Sequence, residues 1–147
     1  MNRLRQRLAT GTAIAGVSVL ALSALACASG ARINSTRSIP VGLYWLSSEP
    51  VEKGAYVMFC PPPIGVFEDA RARGHLGAGF CPGGYGYLMK RVLAAKDDAV
   101  TITDGGVRVN GELLLMSDVS GTSFDGRYFG PIHRSQIKGV IRGVFTW

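Results

Sequence analysis

A chain of 147 residues has room for one compact domain beyond any N-terminal targeting segment, and its 20 glycines and 7 prolines favour turns and strands over a helix bundle. The formal net charge is +6, but Arg3, Arg5 and Arg7 stand within the first ten residues, so the remainder carries only +3 (13 basic against 10 acidic residues). That surplus is too mild and too scattered for nucleic-acid binding, which asks for a basic stripe.

Residues 1–10 are basic with no acid, and 11–28 contain no charged residue at all. The uncharged run approaches the ~20 residues that cross a bilayer as a helix. The pattern predicts a basic cytoplasmic end over 1–10, a transmembrane signal-anchor over 11–28 and an extracytoplasmic domain over 29–147, with the basic end inside. Two alternatives stay open. Ala26-Cys27-Ala28 has the small residues that signal cleavage favours at −3 and −1, and Cys27 could end a lipoprotein signal, although Ala24-Leu25-Ala26 fits that poorly. Each version exports the domain.

Along the chain, 29–37 reads as a polar linker and Ser38-Ile39-Pro40 as the start of the ordered domain. A short strand is expected over 43–46, then turns at Glu49-Pro50 and Lys53-Gly54. Residues 55–60 form a strand stopped by Pro61-Pro62-Pro63, and 67–73 make about two helical turns ended by Gly74. A glycine-rich loop follows over 75–86, then a strand over 87–93. Residues 100–102 pair with 107–109 through Asp104-Gly105-Gly106, and Asn110-Gly111 turns the chain into a strand over 113–116. Residues 138–147 close the domain as one last strand or a bent pair. The expected fold is mainly β, an antiparallel domain with one short helix, preceded by a single N-terminal transmembrane helix.

Cys27 belongs to the apolar run, which leaves Cys60 and Cys81 in the domain. Outside the cytoplasm such a lone pair is most simply a disulfide, contributing about 3 kcal/mol in the chain-entropy model. Two cysteines with only His75 and His133 give no zinc-like spacing, so no metal site is expected.

Lys90 draws attention through strand parity. Leu88 and Val92 share its face while Met89 and Arg91 point the other way. An apolar setting disfavours the charged ammonium and lowers its pKa toward the range of a general base. A lysine that snorkels to solvent from a half-buried strand has the same pattern. Ser38 lies close after the span and two residues before Pro40, where the serine hydroxyl needs a base to become a nucleophile. Alternatively, Ser35, Thr36 and Ser38 simply stiffen a turn.

Three segments together carry a family resemblance. Thr36-Arg37-Ser38-Ile39-Pro40-Val41-Gly42-Leu43-Tyr44 resembles the nucleophile segment of the conjugal-transfer signal peptidases (TraF type) of the signal peptidase I superfamily. Leu88-Met89-Lys90-Arg91-Val92 is similar to the segment that supplies their lysine, and Ser123-Phe124-Asp125-Gly126-Arg127-Tyr128-Phe129-Gly130 to their last box, Ser-x-Asp-Ser-Arg-Tyr-x-Gly. Cys81-Pro82-Gly83-Gly84 and Val109-Asn110-Gly111 are also similar to family segments. The resemblance runs from the basic N-terminus to near the end.

It implies a serine endopeptidase in which Ser38 attacks and Lys90 takes its proton. The Ser38 N–H and the Thr36 hydroxyl would hold the oxyanion, Ser123 would orient the Lys90 amine, and Asp125 with Arg127 would form a structural ion pair. No cofactor is implied. The implied substrates are exported precursors with small residues at −1 and −3, a conjugative pilin above all. They would be met at the bilayer surface by a single-pass enzyme of the cytoplasmic (inner) membrane whose domain is periplasmic or extracellular. A general signal peptidase I and a non-catalytic component of a conjugative secretion apparatus are the alternatives. The chain departs from the pattern at Gly126, where a second serine is usual, at Ser117-Asp118 and at Asp97-Asp98, where Gly-Asp is common.

Overall fold

The computed structural model describes residues 3–95, 99–101, 106–108 and 112–147. The chain divides into two compact units, Met1–Arg32 and Ile33–Trp147. The first is built on helix α1 (Arg3–Ala28), whose 26 residues contribute none to a protein core. At 1.5 Å per residue such a helix is about 39 Å long, enough to cross a hydrocarbon layer of about 30 Å. It is the one helix among the described residues long and apolar enough to do so.

The second unit takes its strands in the order β1 (Ala31–Asn34), β2 (Gly42–Ser47), β3 (Tyr56–Phe59), β4 (Ala78–Cys81), β5 (Leu88–Ala94), β6 (Ala99–Thr101), β7 (Gly106–Arg108), β8 (Glu112–Met116), β9 (Ile132–His133) and β10 (Ile137–Thr146). Helix α2 (Gly65–Ala72) falls between β3 and β4, and the single turn α3 (Gly126–Phe129) between β8 and β9. Seven strands make one sheet in the order β1-β2-β10-β3-β5-β8-β9, and β6 pairs with β7 separately. The registered pairs are antiparallel, as expected: Val57 lies opposite Lys90, Arg91 opposite Met116, and Val100 opposite Val107. The turn expected at 104–106 and the segments Asp97-Asp98 and Val109-Asn110-Gly111 fall wholly or largely outside the described residues.

Both faces of β3 are covered. Val57 and Phe59 join Phe67, Val92, Leu113 and Leu115 in one cluster, while Met58 packs with Ile39, Tyr44 and Ile141 in another. A strand between two apolar layers reads as a continuous apolar run, and Tyr56-Val57-Met58-Phe59 does.

Two local expectations are corrected and a third is resolved. The stretch 29–37 is not linker throughout, because Ala31–Asn34 is strand β1 and Asn34 is buried. The glycine-rich stretch 75–86 contains strand β4, with Ala78 bridged to Tyr85. Gly79 and Gly86 make this possible: a Cβ on Gly79 would stand 2.6 Å from the Gly86 Cα. The C-terminal segment is one ten-residue strand with a register shift between Gly143 and Phe145.

Candidate active site

The segment that carries Ser38 has little backbone pairing of its own, and the buried Asn34 amide supplies what is missing. Its Nδ2 donates to the carbonyls of Thr36 (2.8 Å), Ile39 (3.0 Å) and Pro40 (3.1 Å), while Oδ1 accepts the Thr36 hydroxyl (2.9 Å) and N–H (3.3 Å). Buried Ile39 and the Tyr44 hydroxyl, which donates to the Pro40 carbonyl at 2.6 Å, anchor the far side. The Ser38 carbonyl is held by the Ser117 hydroxyl and the Asp118 N–H, both at 2.9 Å. Nothing in the alternation of residues 29–40 signals Asn34.

Lys90 lies in the middle of β5, where Lys90, Val92 and Ala94 are buried and Arg91 and Leu93 are exposed. The residue is 1% exposed. Its Nζ stands 2.9 Å from Ser38 Oγ and 2.7 Å from Ser123 Oγ, and the two hydroxyls are 3.2 Å apart. Burial lowers its pKa from 10.5 to about 8; the nearby Arg127 charge pushes the same way and Asp125 opposes it. The lysine does not snorkel. It ends between the Ser38 and Ser123 hydroxyls, neutral groups that do little to hold the charged form.

Ser123 is placed by the box that follows it. Asp125 is fully buried and caps α3, accepting the Arg127 N–H (3.1 Å) and the Ser117 N–H (2.9 Å). The Arg127 guanidinium meets it with Nε at 2.9 Å and Nη2 at 2.8 Å. Burial works to raise the Asp125 pKa, but the Arg127 and backbone hydrogen bonds outweigh it and hold the carboxylate below its usual value. The Asp125–Arg127 pair is therefore half interior, with only Arg127 reaching solvent. Gly126 has a steric reason: a Cβ there would stand 2.7 Å from both Leu114 Cδ1 and the Leu115 carbonyl oxygen. No second serine fits without moving β8.

The structure thus brings Ser38, Lys90 and Ser123 into mutual contact, with Thr36 beside them. Thr36 has a single hydroxyl proton, and Asn34 Oδ1 at 2.9 Å competes for it with Ser38 Oγ at 3.4 Å. A cleft of about 230 Å³ opens over these groups, bounded also by Leu88, His75 and Phe124. His75 was considered only for metal binding in the sequence, and its place in the cleft comes from the fold. Cys60 and Cys81 are disulfide-bonded, joining the end of β3 to the end of β4.

No family model matches the chain. Among curated proteins it is 60% identical to a plasmid transfer protein TraF of Escherichia coli, over the whole of both chains. It is also 37% identical to a conjugal transfer protein TraF of Agrobacterium tumefaciens (strain 15955), covering 90% of this chain and 92% of the relative. The chain belongs to the TraF family of conjugal transfer proteins. This membership gives the chain a role in conjugation and extends over α1 as well as the β-domain, since the Escherichia coli relative aligns end to end.

Proposed function

We propose that this TraF-family chain is a membrane-anchored serine endopeptidase of the signal peptidase type that matures exported precursors, a conjugative pilin foremost, through Ser38 and Lys90. The observation that carries the reading is the 2.9 Å approach of a buried, pKa-lowered lysine to a serine hydroxyl in an open cleft. With Lys90 neutral, its lone pair takes the Ser38 proton as Oγ attacks the scissile carbonyl, while an amine N–H donates to Ser123 Oγ and keeps that lone pair aimed. The resulting ammonium then gives its proton to the leaving amine, and an acyl-enzyme remains on Ser38. The Ser38 N–H would hold the oxyanion. The Thr36 hydroxyl joins it only by turning away from Asn34, a second donor worth about 3 kcal/mol in such sites.

Water or a substrate amine then attacks the ester, with Lys90 again as base. In the second case the matured pilin closes on its own N-terminus, and its mass falls short of the hydrolysed product by one water. With α1 as the anchor and its basic end inside, the site works at the outer face of the inner membrane on precursors with small residues at −1 and −3.

Cleavage of such a precursor by the full chain and by Ser38→Ala and Lys90→Ala variants tests the reading. Loss of cleavage in both, with melting curves still cooperative, is the expected result. Processing by either variant sinks the dyad.

A further inference from the structure

Beside the cleft lies a second, larger pocket of about 330 Å³, and the two share His75 and Phe124. Most of its wall comes from the loop that the Cys60–Cys81 disulfide closes: Val66, Asp69, Ala70, Arg73 and His75. Phe124 and Tyr128 complete it from the Ser123 box. Residues 66, 70 and 73 recur at helical spacing, so one face of α2 and its C-terminal end form a single surface.

This wall is fixed. Phe67 and Ala70 are buried, and Phe124 packs edge-on against Phe67 at 5.6 Å and against Phe129 at 5.2 Å. Arg71 donates to the Gly83 carbonyl at 2.7 Å and lies over the Tyr85 ring, which ties α2 to the turn after Cys81. Gly74, at φ 76°, ends the helix so that His75 turns into the cleft. The disulfide closes the loop at its base.

Phe124 directly follows Ser123, whose hydroxyl touches Lys90 Nζ. An extended substrate advances about 3.3 Å per residue, so a side chain within about three residues of the scissile bond reaches this pocket. Its bulk walls are Val66, Ala70, Phe124 and Tyr128, while Asp69 and Arg73 set opposite charges at the exposed rim. Opposed rim charges give no single-sign field, so the pocket selects apolar bulk rather than charge. The small residues expected at −1 and −3 cannot fill it.

We infer that the disulfide-closed loop 61–80 is a substrate-selecting element, and that its pocket is a subsite for one large apolar or aromatic side chain near the scissile bond. The inference rests on the peptidase reading for which bond is cut, and on the pocket alone for what is bound. The test uses the full chain in detergent with quenched-fluorescence peptides that keep Ala at −1 and −3. One further position at a time, from −5 to +5, is varied through Ala, Leu and Phe.

At one position Phe or Leu should raise kcat/KM at least about tenfold over Ala, as apolar pockets do. Val66→Trp fills the pocket and Tyr128→Ala, an exposed change, opens its wall; both should flatten that preference, read as the ratio of kcat/KM for the Phe peptide to that for the Ala peptide. Cys60→Ser with Cys81→Ser should flatten it too. Binding of the same peptides to Ser38→Ala keeps the two readings apart. Ranked binding without cleavage by the parent removes the peptidase and keeps the subsite. Equal binding and cleavage of Ala, Leu and Phe at every position, or a preference that survives both pocket variants, overturns the subsite.

Discussion

The Ser38–Lys90–Ser123 cluster and the disulfide-closed loop 61–80 meet in one cleft, yet they are held by opposite means. The cluster sits on buried polar groups whose partners are named one by one: Asn34 for the serine segment, Asp125 for the Ser123 turn, and a sheet position that leaves Lys90 among hydroxyls. The loop is held by apolar packing of Phe67 and Ala70 and by one covalent bond, and it turns a mixed rim to solvent. Buried polar networks fail as a unit when one member is removed, whereas an apolar wall tolerates exchange at modest cost. The proposed chemistry therefore falls on the first region and the proposed selectivity on the second.

The contrast breaks most visibly at Lys90. Lys90→Met keeps the shape and removes the amine, so precursor cleavage should fall at least about a thousandfold. Its melting temperature should hold or rise, because no charge is buried any longer. A variant that cleaves normally would show that the cluster is packing after all.

Asp125→Ala strips the partner from the part-buried Ser117 N–H and from Arg127, and should cost about 3 kcal/mol in urea unfolding. Because the folded Asp125 pKa is lowered, that contribution is present above its unfolded value of 3.8 and is lost as pH falls through the folded one. A variant that unfolds at the parental midpoint at pH 7 but not at pH 2 would contradict the assignment.

Asn34→Ala should cost less, about 2 kcal/mol, and lower kcat more than it raises KM, since it loosens Ser38 rather than a binding wall. A pure KM effect would place Asn34 with the selecting loop instead.

The smallest effect is the pH profile. Below about pH 8 Lys90 is protonated in both folded and unfolded chains; between about 8 and 10.5 the folded protein has shed a proton that the unfolded chain keeps. The Lys90 contribution to stability therefore rises across that window, and kcat/KM should climb with pH and level off above about 8. A profile flat from pH 6 to 9 would mean that Lys90 does not carry the proton.

Much of this arrangement was legible in the chain, and for local reasons. Strand parity put Lys90 on the face of Leu88 and Val92, two lone cysteines in a domain expected to be exported predicted their bond, and the charge-free run predicted the apolar helix α1. Asn34 was read as linker, because its value lies in carbonyls two to six residues onward that no pattern marks. Strand β4 was missed because glycines signal turns, and only the close backbone approach of Gly79 to Gly86 turns them into a strand.

By itself the sequence determined the alternation, the long apolar helix, the cysteine pair and the residue types able to do serine–lysine chemistry, all of which depend on spacing along one chain. Only the tertiary structure decided that Lys90 Nζ reaches Ser38 Oγ across 52 residues, that Asp125 is interior, and that His75 and Phe124 join two pockets. Those facts depend on how β5, the Asn34-held segment and the Ser123 turn pack against one another. Burial, which sets the lysine's pKa, is a property of that packing and of no single stretch of residues.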